Sequence, residues 1–361
     1  MSELDEYRGK IADIDARMAE LFEERMDMSR KVAEYKQANG LSVKDAGRED
    51  ALISKNKDLI KSDEIRQYYV NFIRSTLDIS CDYQEMLMSG MKIAYGGEEG
   101  AYAHIAARHM FPKARYVSKT DHTDAYRSVE NGECDLAVLP IENSIAGEVG
   151  IVMDLMYQGT LHINQVYDFP IGHQLLGIKG SSRKDIKKVI SHPQAIAQCS
   201  GYLKKMGFEV ETASSTSAAA KNVISMNDPT IGAVASEEAA EIFGLDILDR
   251  DVQNQGINTT RFAAFSRSLN APAAGTPHGD ENFIMVFTVK NEAGALASTL
   301  NIIGAHGYNM RNLKSRPLKS LPWNYYFYVE AEGDINSQNG KDMLRELSVL
   351  CADLKLVGVY H

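Results

Sequence analysis

The stretch "GINTTRFAAFS", residues 256–266, sets Asn258, Thr259, Thr260 and Arg261 directly ahead of an apolar run. A strand entering a core alternates polar and apolar residues or reads apolar throughout. Two hydroxyls and a guanidinium at that point describe either a turn leading into a strand or a strand end that carries chemistry. The same texture recurs upstream. From Met91, short apolar runs such as "MKIAYGG" (91–97), "CDLAVLPIENS" (134–144), "KKVISHPQ" (187–194) and "TIGAVASEEAA" (230–240) alternate with helical segments. That order predicts an α/β fold with a mixed or parallel sheet, long enough for two lobes with a cleft between them.

The flanks have other periods. Residues 3–88 lack proline and predict three helices, from about Glu3 to Ala38, Ala46 to Leu59, and from a Ser62–Asp63 cap to Met88. Ile11, Ile14, Met18, Leu21, Phe22, Met28, Val32 and Tyr35 form an apolar stripe on the first. A helix of 36 residues is about 54 Å long. Two shorter helices cannot cover it, so an interlocked dimer is expected. Residues 268–281 read as a linker, and 282–361 as strand, helix, two strands, helix, strand, the βαββαβ order of a ferredoxin-like module.

Composition narrows the class. The 361 residues are 44% hydrophobic and 24% charged, as in a soluble multidomain protein. No apolar run approaches the roughly 20 residues that cross a bilayer, and no secretory pattern opens the chain, so no membrane partner and a cytoplasmic location are expected. Cys81, Cys134, Cys199 and Cys351 are scattered and predict reduced thiols and no metal. A net charge of −10 argues against nucleic acid, but local cations still suit small anions. No nucleotide or dinucleotide motif is present, so no cofactor is expected.

On the first helix, Arg25 and Lys36 lie about three turns apart on one face, while Arg8 sits roughly 100° round from Arg25. Ser80 and Gln84 share a face of the third helix, and Asp45, Arg48 and Glu49 open the second. These are either solvated surface charges or the lining of a cationic pocket. "EYRGKI", "FEERMDMSRKVAEYK", "KDAGRED" and "SCDYQ" follow the order of the all-helical chorismate mutase domain, which residues 1–88 resemble. The resemblance implies that Arg8 of the other subunit, Arg25 and Arg48 grip the two carboxylates of chorismate. Lys36 and Gln84 would bond its ether oxygen, Asp45 and Glu49 would hold the hydroxyl side, and Ser80 would contact substrate. A pericyclic rearrangement needs no nucleophile or proton shuttle, only a compact conformer and donors at the oxygen where charge grows.

In the central segment, "PIENSIAG" (140–147), "SHPQAIAQCSGYL" (191–203), "STSAAA" (215–220) and "NTTRF" (258–262) put small polar residues at strand ends or helix starts, where α/β sheets bind ligands. Ser215 and Thr216 are equally N-cap residues, and His192 is a general acid or a turn residue. The four strings in order resemble prephenate dehydratase over residues 91–267. The resemblance implies lobe 1 from about 91–166 plus 257–267, lobe 2 from about 167–256, and a site in the cleft. Thr260 would be the essential threonine. Glu142, Asn143, Ser191, Gln198, Thr216, Asn258 and Arg261 would bind prephenate or hold its strand end. Where the family reads Gly-Pro-x-Gly-Ser-Tyr-Ser, this chain has "GGEEGAYA" (96–103).

"GALASTL" (294–300) and "KSRP" (314–317) resemble the ACT domain attached to this dehydratase, whose family motif Glu-Ser-Arg-Pro here begins with Lys314. Gly294, Ala295, Leu296, Ser315, Arg316 and Pro317 would bind phenylalanine between protomers. Trp323 is expected to pack. Together the segments resemble bifunctional chorismate mutase/prephenate dehydratases, with phenylalanine as effector and a homodimer or tetramer as assembly. The rival readings are a non-catalytic aromatic-acid sensor and a dehydratase acting on arogenate.

Overall fold

The computed structural model describes residues 2–254, 258–269 and 281–361. Most of the expected linker, residues 270–280, lies outside them, as does the Ile257 end of lobe 1. The chain divides into two compact units, the second beginning at Lys92.

The first unit is three helices, α1 (Glu3–Ala38), α2 (Ala46–Lys57) and α3 (Asp63–Ser89). Ser2 and Asp5 cap α1 reciprocally, and Asn39–Gly40 stops it, with Gly40 in the left-handed region. Asp45 caps α2 by accepting from the Arg48 N–H, whereas Ser62 occupies the cap position of α3 without a side-chain bond. Only Ser29 and Ala33 of α1 are buried. Ile11, Ile14, Met18, Phe22 and Leu21 (61% exposed) face solvent in the single chain.

The second unit begins with β1 (Lys92–Gly96), α4 (Tyr102–Met110), β2 (Arg115–Lys119), α5 (His122–Glu130), β3 (Leu136–Asn143), β4 (Gly147–Glu148), α6 (Gly150–Gln158) and β5 (His162–Pro170). It continues through β6 (Gln174–Gly177), β7 (Lys188–Ser191), α7 (Pro193–Gln198), α8 (Ser200–Met206), β8 (Glu209–Thr212), α9 (Thr216–Met226), β9 (Ile231–Ala235), α10 (Glu237–Phe243) and β10 (Asp246–Asp249). The chain then returns as β11 (Thr259–Ser266) and ends with β12 (Asn282–Val289), α11 (Ala295–Ala305), β13 (Asn309–Pro317), β14 (Tyr325–Glu332), α12 (Gln338–Leu350) and β15 (Cys351–Tyr360).

Two sheets make the two lobes. One runs β10-β6-β9-β7-β8, and the other runs β13-β14-β12-β15-β5-β11-β3-β1-β2 with β4 paired to β3. The buried residues of β11, Phe262 to Ser266, explain the apolar half of the opening stretch: the strand is central, antiparallel to both β3 and β5. The crossing out of lobe 1 falls after Pro170 rather than near 166, because β5 keeps pairing with β11 as far as Thr259↔Pro170. "LHINQVYDFPIGHQLLGI" is therefore two strands, one in each sheet.

The C-terminal segment has the order β-α-β-β-α-β, with β12 between β14 and β15 in an antiparallel sheet. It does not stand apart from lobe 1. β15 joins β5 in parallel at Gly358↔Ile163, and Ile284, Val286, Tyr328 and Val357 enter the same core as Leu139, Met156 and Phe265. Polar bonds reinforce the seam. Asp154 of α6 accepts from Arg316 (3.0 Å), Lys319 (2.9 Å) and Tyr326 (2.9 Å). Burial alone would raise that carboxyl, but these partners together outweigh it and hold it below its ordinary range. Trp323 corrects an expectation: it is 81% exposed at positive φ in the turn before β14, so it does not pack within the single chain.

Candidate active sites

In the helical unit, Arg25, Lys36, Asp45, Arg48, Glu49, Ser80 and Gln84 line one cavity of about 210 Å³, with Cys81 among them. Arg25 donates to the Ser80 hydroxyl and to the Thr76 carbonyl (3.2 Å). Lys36 Nζ donates to the Val43 carbonyl (2.6 Å) and Gln84 Oε1 (3.2 Å), so α1 and α3 present their donors already oriented. Burial makes it harder for Arg25 to carry its charge, which raises its demand for an anionic ligand. The Cys81 thiol is pushed up by burial and by Glu49, whose carboxylate it faces at 3.7 Å. Arg8 is exposed and lies outside this cavity.

In the second unit, adjoining cavities of about 380 and about 450 Å³ share Gly96, Tyr102, His122, Asn143, Gln194 and Thr260. Gln198, Ser215, Thr216 and Asn258 line the first of them. Register explains the pairing: Thr260 sits opposite Asn143, and Arg261 opposite Glu142. Alternation along the strands then separates the two pairs. Thr260 and Asn143 line the cleft. Glu142 departs from the expected substrate contact, since it is not among the cleft's lining residues, and Arg261, also absent from the lining, takes the other role expected of it, holding the strand end. Glu142 instead accepts from Lys314 (2.7 Å) and Asn312 (3.2 Å). Arg261 pairs with Asp168 (2.9 Å) and Glu330 (3.0 Å). Ser191 also departs from expectation: it is fully buried, and its hydroxyl donates to the Val234 carbonyl at 2.6 Å.

The cleft residues form one hydrogen-bonded chain. Asn143 Nδ2 donates to Thr260 Oγ1 (2.9 Å) and Asn258 Oδ1 (2.7 Å), and Asn258 Nδ2 to Gln198 Oε1 (3.3 Å). His173 Nε2 lies 2.8 Å from Gln198 Oε1, and its Nδ1 lies 3.2 Å from the Tyr102 hydroxyl. Burial lowers the His173 pKa, against the Gln198 bond. Ser215 caps α9 through the Ala218 N–H, and His192 caps α7 by accepting from the Gln194 N–H (3.2 Å). Both capping roles coexist with lining the cleft. Tyr102, His122 and His173 had not been singled out as site residues: "GHQ" and "DHT" carry no pattern, and only the folded cleft brings them together.

The two sites treat charge differently. The helical cavity holds Arg25, Lys36 and Arg48. Among the described residues, neither cavity of the second unit is lined by lysine or arginine. There the N-terminal ends of α4 and α9 face the first cavity, while the α5 cap Asp121 lines that cavity and Glu148 the second.

In the C-terminal segment, Gly294 is the left-handed cap of α11, Leu296 packs on the module's core, and Ala295 opens the helix. Ser315 and Pro317 are exposed at the end of β13. Arg316 turns to Asp154 and Glu148.

Residues 7–85 match the chorismate mutase type II family and residues 93–270 the prephenate dehydratase family. A bifunctional chorismate mutase/prephenate dehydratase of Enterobacter agglomerans is 30% identical over 369 residues, covering 98% of this chain and 94% of that protein. The structure of a prephenate dehydratase in complex with L-Phe from Arthrobacter aurescens aligns with a TM-score of 0.68 at 26% identity, covering 74% of this chain and 89% of that one. Equally similar in shape, at TM-score 0.68 and 33% identity over 74% of this chain and 97% of the other, is GqqA, described as a novel type of quorum quenching acylase. With matched families on both units and a relative similar over nearly its whole length, the chain belongs to the bifunctional chorismate mutase/prephenate dehydratases.

Proposed function

We propose that Arg25, Arg48 and Lys36 hold chorismate in the helical cavity, with Gln84 and Lys36 at the ether oxygen, and that Thr260 serves the leaving hydroxyl of prephenate. Asp45, Glu49 and Ser80 complete the first site, with Arg8 supplied by a second copy. The exposed stripe on α1 supports that dimer. Gln198, Thr216 and Asn258 complete the second site.

The observation that carries the dehydratase assignment is the Asn143–Thr260 bond. Because Thr260 Oγ1 accepts from Asn143, its own O–H is free to donate into the cleft. Prephenate loses its ring carboxylate as CO2. The electron pair of that C–C bond enters the ring as the C4–O bond breaks, and the departing hydroxide takes one proton to leave as water. Donors aimed at that oxygen stabilise the charge it gains. The departing carboxylate must not be anchored, and a cleft lined by helix ends and amides rather than fixed cations meets that need.

The βαββαβ segment is assigned as an ACT module responding to phenylalanine. Its strand order and the Gly294–Leu296 cap support this, as does the phenylalanine named with the Arthrobacter relative. Four free, buried cysteines fit a reducing cytoplasm. Incubating the chain with chorismate and following prephenate and phenylpyruvate, with and without phenylalanine, tests the assignment. Sequential appearance of the two acids, with the second suppressed by phenylalanine, is expected. Faster turnover of arogenate than of prephenate, or tight binding without turnover, would overturn the substrate assignment.

A further inference from the structure

His122 opens α5 and lines both dehydratase cavities beside Asn143 and Thr260. Its Nδ1 is buried with no hydrogen-bond partner. A Cβ placed on Gly96 would come within 2.5 Å of this nitrogen, so Nδ1 faces the Gly96 backbone at the end of β1. Nδ1 is unpaired in either tautomer, so Nε2 is the nitrogen through which the ring can pair. A buried N–H without an acceptor is the rarer defect, which favours the tautomer with its proton on Nε2. Burial also depresses the ring's pKa, with Asp121 pulling weakly the other way, so the imidazole is uncharged.

We propose that His122 is a further substrate-binding residue of the dehydratase cleft, a neutral imidazole whose Nε2–H donates to a carboxylate or keto oxygen of the substrate. The proposal rests on the dehydratase reading above. It suits this cleft because a neutral donor orients an oxygen without adding the fixed charge that would hold the departing carboxylate in place. Among the other imidazoles of the cavity, His173 is engaged by Tyr102 and Gln198, and His192 by its own helix cap. Of the three imidazoles, only that of His122 makes no hydrogen bond within the described residues.

The test uses the full chain with His122→Phe and His122→Gln, measured on prephenate, with the near-UV circular dichroism and thermal melt of each variant reporting whether the unit that carries the cleft is folded. His122→Phe keeps a ring of similar size and loses the donor. It should raise KM for prephenate about tenfold, the worth of one hydrogen bond to a charged group, with a smaller change in kcat. His122→Gln carries an N–H near the Nε2 position and should recover most of that loss. An unchanged KM in His122→Phe overturns the proposal. Equal loss in both variants with unchanged spectra and melts also overturns it, because that result marks packing rather than donation. If the unaltered chain makes no phenylpyruvate, the dehydratase reading falls and takes this proposal with it.

Discussion

Asn143 fixes its own orientation before it fixes anything else. Its Oδ1 accepts from the Ile145 and Ala146 N–H groups (3.0 and 2.9 Å), so its NH2 must face Asn258 and Thr260. The threonine then has one free proton and one direction in which to offer it. Thr260→Val keeps the shape and removes that proton. Dehydratase kcat should fall about 10²- to 10³-fold, the usual loss for one preorganised donor, while chorismate turnover holds. Lys36→Ala should do the reverse, and a variant that lost both activities while remaining folded would overturn the two-site assignment. Thr260 and Asn143 were legible because each ends a strand in a recognisable string. Glu142 and Arg261 sit in the same strings but outside the cleft, because consecutive strand residues point to opposite faces. His173 reaches the cleft from a turn between sheets, and nothing local in the sequence announces it.

At the scale of elements, α1 was legible from its apolar period, at about Glu3 to Ala38, and the structure adds the Ser2–Asp5 cap that starts it. Its stripe is longer than the two following helices can cover, and the single chain leaves Ile11, Ile14, Met18, Leu21 and Phe22 in water. Such a face is expected to be closed by a second copy. Leu21→Glu should therefore halve the apparent mass by light scattering and reduce mutase kcat/KM more than tenfold, since Arg8 would no longer reach a neighbouring cavity. Dehydratase turnover should persist, because its cleft is built wholly within residues after Lys92. An unchanged mass with full mutase activity would remove the dimer from the assignment. The strands were less legible than the helices. The run 161–178 reads as one apolar segment and is two, since the switch between sheets is made by a Pro-Ile-Gly-His turn rather than by a change in composition.

At the scale of the whole second unit, a proline- and glycine-rich stretch in the sequence suggested separation, and the fold supplies a shared sheet and a shared core instead. The reverse face of β3 and β11 is pinned to the C-terminal segment by Lys314–Glu142 and Arg261–Glu330. Lys314 stands where the family motif has glutamate, and that acid would meet Glu142 head-on here. Lys314→Glu should destabilise by roughly 1–3 kcal/mol, as expected for a partly buried pair turned repulsive, and weaken dehydratase turnover. Adding Glu142→Lys should restore both. A double variant no better than the sum of its parts would show that the pair is not coupled. The route of the chain also sets an order of assembly. β3 and β5 leave the ribosome early, yet the strand that fills the gap between them, β11, is made about ninety residues after β5 ends. At ordinary synthesis rates their edges wait unpaired for roughly 4–18 s, while lobe 2 is completed in the interval. Open edges of that kind invite pairing with other chains. The interrupted lobe that builds the cleft thus carries a period of edge exposure during synthesis that an uninterrupted lobe would not.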